Sequence, residues 1–83
     1  MDLPMNDQTS LDQHRRDAGL SVTDLWLRYF ALGGMSTPIE MEAYLLGALE
    51  PSAYERNLVA HAINERFLER GGDHPVPYID EPD

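Results

Sequence analysis

From Tyr54 to Phe67 the apolar residues Tyr54, Leu58, Val59, Ala62, Ile63 and Phe67 recur at intervals dominated by three and four, the spacing that lines one face of an α-helix. The segment EPSAYERNLVAHAINERFLERGG therefore predicts a long helix that starts at Glu50 or Pro51 and stops at Gly71-Gly72, with Arg70 in its last turn complementing the helix dipole. Two shorter helices precede it. In SVTD, Ser21 can cap and Asp24 stands where a capping-box acid belongs. Gly33-Gly34 closes that helix. In STPIE, Thr37 caps, Pro38 takes the first helical position, where its missing N–H does no harm, and Glu40 reaches back. This second helix is expected to run to Gly47 or Leu49. No alternating pattern competes for a strand.

The run LWLRYFAL, Leu25 to Leu32, is apolar at every position but Arg28, whereas a helix packed on one side needs only about three or four apolar positions per two turns. Helical spacing sorts the run into three lines: Val22, Leu25, Tyr29 and Leu32 on one, Trp26, Phe30 and Gly33 beside it, Leu27 and Ala31 elsewhere. Neighbouring helices can cover two lines. Either the helix is central and wholly buried, with Trp26, Tyr29 and Phe30 at the heart of a small core, or the third line meets another chain, which makes Trp26, Leu27 and Phe30 candidates for a contact.

Outside the helices the pattern breaks down. Residues 1–20 are polar, with Leu3, Met5 and Leu11 too scattered to define a face, so this segment is expected to be mostly disordered, with at most a turn or two near Ser10 to Asp17. Residues 72–83 hold an extended, proline-containing acidic tail in which Val76, Tyr78 and Ile79 can pack back as a strap or dock on a partner. The expectation is an all-α, compact three-helix bundle over residues 21–71, with short links and flexible acidic tails.

Charge and composition narrow the functional classes. The 83-residue chain carries a formal net charge of -9, of which -2 falls in residues 1–20, -3 in 21–70 and -4 in 71–83. The helical part is thus only mildly acidic. All six cationic side chains are arginine, and there is no cysteine, so disulfides and thiolate metal sites are excluded. No apolar run suits a signal peptide or a membrane span, so the expected setting is the cytoplasm. On the long helix, Glu65 and Glu69 are like charges one turn apart, as are Arg66 and Arg70. Such pairs ask for partners elsewhere.

Candidate chemistry is sparse. The glycine doublets sit at helix stops, the serines at or near helix starts, and only three histidines are available for a catalytic group. His61 and Glu65 lie one turn apart, with His74 and His14 as distant additions, too few for a defined metal site. Neither catalytic residues nor a cofactor is expected. A helix-turn-helix alignment through Ala43 and Gly47 puts Glu42 and Arg56 at positions that should be apolar, and PSAYERN offers a single arginine to phosphates. Nucleic acid is disfavoured as a ligand. An acidic DNA mimic fits the sign of the charge but not the arginines at positions 28, 56, 66 and 70.

The strings LRYFALGG, TPIEMEAYL and AHAINER resemble short, mostly uncharacterised actinobacterial proteins of regulatory context. The resemblance spans about half of the chain and implies a regulatory role, with no site attached. The reading that follows is a small non-enzymatic regulatory or adaptor protein that binds another protein or a copy of itself, through Trp26, Leu27, Phe30, Arg66 and Arg70, and through Val76, Tyr78 and Ile79 of the tail. A helix-turn-helix regulator and an acidic DNA mimic are the alternatives.

Overall fold

The computed structural model describes residues 7–72 and residue 76. Four helices occur in it, α1 (Asp7–Asp17), α2 (Val22–Ala31), α3 (Pro38–Leu46) and α4 (Ala53–Glu69), and no strand among the described residues. The fold is all-α, as the periodicity requires, but it has one helix more than the three-helix bundle expected.

The additional helix lies inside the segment expected to be mostly disordered. Its sequence, DQTSLDQHRRD, is polar throughout except for Leu11, so local pattern gives it no face. Order comes from elsewhere: Leu11 and Ala18 are completely buried and Leu20 nearly so. Two arginines fasten its end. Arg15 Nη1 donates to the Leu20 carbonyl at 2.8 Å, and Arg70 Nη1, from the far end of α4, donates to the Asp17 carbonyl at 3.2 Å. These bonds satisfy carbonyls that the helix end and the following link leave open.

The other three starts follow their capping residues. Ser21 and Thr37 each accept from the N–H three residues on, and Asp24 and Glu40 return the bond, so both capping boxes are complete. α3 ends at Gly47, whose φ of 78° is the left-handed conformation that suits glycine. α4 begins later than expected. Ser52 is its N-cap and accepts from the Glu55 N–H at 3.1 Å, which leaves Glu50 and Pro51 in the link.

α1 and α2 each pack on both α3 and α4. The core between them joins Leu11, Ala18 and Leu20 to Leu25 and Tyr29 of α2, Met41, Tyr44 and Leu45 of α3, and Val59, Ala60, Ala62 and Ile63 of α4. Val76 completes it. Its backbone is held by the side chain of Asn64, itself buried, so at this residue the chain packs back on the domain. Tyr78 and Ile79 lie outside the described residues, as does the acidic character expected of the tail beyond Val76.

Candidate interaction surface

α2 is not wholly buried, and only its first line faces the core as helical spacing predicts. Leu25 and Tyr29 are fully buried, and Val22 and Leu32 pack partly against the core. The outer line is open and takes in Phe30, which spacing alone puts beside Trp26 on a line that neighbouring helices can cover: Leu27 is 53% and Phe30 57% exposed, and Ala31 beside them is also exposed. Trp26 is half-buried and stacks on Phe30, ring centroids 5.0 Å apart and planes 21° from parallel. Its indole Nε1–H donates to the Ser36 carbonyl at 2.9 Å. The pair therefore forms a stiff aromatic ledge, since the indole cannot swing without losing a hydrogen bond.

Ser36 gathers three aromatic side chains around the α2–α3 link. Its N–H donates to the Tyr29 hydroxyl at 2.7 Å, its carbonyl accepts from Trp26, and its hydroxyl lies 2.6 Å from the Tyr44 hydroxyl. Tyr29 in turn donates to the Glu55 carboxylate on α4. Burial is the chief cause that raises the Tyr29 pKa, and the bond to Glu55 adds to it. Glu55 thus spends its carboxylate on Tyr29, and α4 carries only the Ser52 half of a capping box. Close packing at this point also explains Gly34. A Cβ there would sit 2.2 Å from Tyr29 Cζ.

Glu65, Glu69 and Arg70 find partners beyond α4, whereas Arg66 is answered within the helix by Glu69 three residues on. Arg28 forks onto Glu69, with Nη1 and Nη2 at 2.9 and 2.8 Å from the two carboxylate oxygens, and Nη1 lies 3.7 Å from Glu65. The hydrogen bond from Arg28 is the main reason that the Glu69 pKa lies below the usual value, and the same bond raises that of Arg28. Arg66 reaches Glu69 at 3.5 Å, while Arg70 goes to α1. The single charge inside LWLRYFAL is therefore the link between α2 and the acidic pair of α4. Spacing along one helix could not show it.

Beside Leu27 an open groove of about 410 Å³ is lined by Gly19, Leu20, Asp24, Leu27, Arg28 and Arg66. The structure thus brings Leu27 and Arg66 to one groove, with Phe30 and Trp26 on the same helix as Leu27. Arg70 is occupied at the α1 terminus. Val76 is 1% exposed, so its side chain is not available to a partner.

The remaining chemistry is thin. His61 Nε2 lies 3.7 Å from Glu65 on the exposed side of α4, and among the described residues no group of three metal-ligating side chains comes together. Arg56, the single arginine of PSAYERN, which the helix-turn-helix alignment puts at a position that should be apolar, is 5% exposed. It is directed into the domain. Among the described residues no helix is long and apolar enough to cross a membrane. Comparison with known protein families, with curated proteins and with solved structures finds no match for this chain.

Proposed function

We propose that this chain is a small, non-enzymatic regulatory or adaptor protein of the cytoplasm that acts by binding another protein through the outer line of α2. One observation carries the reading: Leu27 and Phe30 are each more than half exposed, next to an indole locked in place by Ser36. Aromatic and aliphatic anchors of this kind, held rigid before contact, supply most of the free energy of protein interfaces. The adjoining groove adds Arg66 at its rim. With Arg56 buried, the start of α4 has no arginine left for phosphates, which weighs against DNA binding in the helix-turn-helix alternative.

The test is affinity purification of the full chain from its host, with mass spectrometry, in parallel for the native protein and for Leu27→Asp and Phe30→Ser. The expected result is a partner held by the native chain and lost by both variants. Recovery of the same proteins by all three would remove α2 as the contact.

A further inference from the structure

α3 carries a second outward face, distinct from the α2 line. Its buried residues Met41, Tyr44 and Leu45 face the core. Ile39 and Leu46, seven residues apart and hence superposed on the opposite side, are 78% and 75% exposed, and Met35 in the link leading into the helix is 85% exposed. These are the three most exposed large apolar side chains of the described domain. Helical spacing puts Glu42 between Ile39 and Leu46 on the same stripe. Glu40 flanks it, and Glu50 follows in the link to α4.

The electrostatic setting of this face is one-sided. From Tyr29 to Glu55 the chain contains four carboxylates and no arginine, lysine or histidine. Glu55 is engaged by Tyr29, and Glu40 caps the Thr37 N–H. Among the described residues Glu42 forms no ion pair. An apolar stripe interrupted by an unneutralised carboxylate is not suited to a second copy of itself, because a two-fold pairing of α3 with α3 would bring the same acids together. It is suited to a surface of the opposite sign.

We infer that the α3 face formed by Met35, Ile39, Glu42 and Leu46 is a docking surface for a cationic amphipathic helix of a partner protein. Apolar side chains of that helix would cover Ile39 and Leu46, which stand about 10 Å apart along the axis at 1.5 Å per residue, and its arginines or lysines would meet Glu42 and Glu50. This is the helix-on-face mode of recognition, in which apolar anchors give affinity and charge gives orientation. The inference stands independently of the α2 surface.

The test uses the full chain and an 18-residue synthetic helical peptide with leucines along one face and arginines on the flanks, followed by fluorescence anisotropy at two salt concentrations. Two control peptides keep the composition but scramble the leucine spacing, or replace arginine with glutamate. Binding of the patterned peptide is expected to weaken at least tenfold for the double variant Ile39→Ser, Leu46→Ser and for Glu42→Arg, and to be unchanged for Leu27→Asp. Both controls are expected to bind at least tenfold more weakly. Equal binding of the scrambled peptide would reduce the effect to net charge and overturn the proposal, as would equal loss in Leu27→Asp or no loss in Glu42→Arg. Self-association of the native chain that the double variant abolishes would assign the face to a second copy instead. Since the substituted side chains are exposed, circular dichroism melts that match the native chain serve as the folding control.

Discussion

The side chain of Asn64 and the backbone of Val76 exchange two hydrogen bonds, Nδ2 to the Val76 carbonyl at 2.9 Å and the Val76 N–H to Oδ1 at 3.0 Å. Both residues are buried, so the amide replaces the partner strand or water that this stretch of backbone would otherwise need. Asn64→Ala is expected to cost about 2–3 kcal/mol, because it leaves a buried N–H and carbonyl without a partner. Asn64→Asp is expected to cost as much, since a carboxylate cannot donate to the carbonyl. Chemical denaturation of the three proteins checks this. A loss below the range expected for exposed substitutions would mean that Val76 is not held as described.

Gly34 and Gly33 should respond differently to alanine. At Gly34 the new Cβ meets the Tyr29 ring, and Tyr29 has no freedom to retreat from Ser36 and Glu55. Gly34→Ala is expected to destabilise by about 1–3 kcal/mol through overpacking. At Gly33 there is open space, but φ is 101°. Its cost arises from backbone strain alone and is expected to be smaller, about 1 kcal/mol. Thermal melts rank the two.

Tyr29→Phe keeps the ring and removes the hydroxyl that receives the Ser36 N–H and donates to Glu55. The expected cost at neutral pH is about 1–2 kcal/mol. A pH signature accompanies it. The Tyr29 pKa is raised in the folded protein, so its contribution is complete below the unfolded tyrosine value and is lost as pH rises through the folded one. The stability gap between native and Tyr29→Phe proteins should therefore be constant through neutral pH and shrink only on the alkaline side. A gap that shrank toward acid would contradict the assignment.

Glu69 predicts the opposite wing. Its pKa is lowered, chiefly by the hydrogen bond from Arg28, so the stabilisation is present above the unfolded carboxylate value and disappears as pH falls through the folded one. Glu69→Gln is expected to melt slightly below the native protein at neutral pH and to converge with it in acid. The effect should also fade with salt, because the pair stands near the surface. Melting curves from pH 7 down to the carboxylate range, at low and high salt, decide the point.

Within α2, stability and binding should separate by residue. Leu25 is fully buried, and Leu25→Ala is expected to cost about 2–5 kcal/mol. Leu27 is more than half exposed, and Leu27→Asp is expected to stay within about 0.5 kcal/mol of the native protein. Urea titrations read both. A large loss for Leu27→Asp would make it a structural residue and spoil its use as a probe of the interface.

The chain's local chemistry determined three helices and the starts of two of them, while α4 begins later than Glu50 or Pro51. Ser21 with Asp24 and Thr37 with Glu40 form complete capping boxes, and 100° per residue sorts α2 into three lines, although packing alone decides that Phe30 stays open. These features depend on residues within one or two turns of each other. What the tertiary structure decided depends on residues far apart in the chain. α1 has no apolar stripe, and it is ordered by Leu11 in a core that other helices build, with Arg70 closing its end from 53 positions away. Arg28 resolves the like charges of α4 from 41 positions away. Thr37 caps α3 as its local sequence requires, but the adjacent Ser36 ties Trp26, Tyr29 and Tyr44 together, which no local pattern shows. Local pattern records backbone preference and the amphipathic face of a helix. A hydrogen bond or ion pair between distant residues leaves no periodic trace, and only packing brings its two ends within reach.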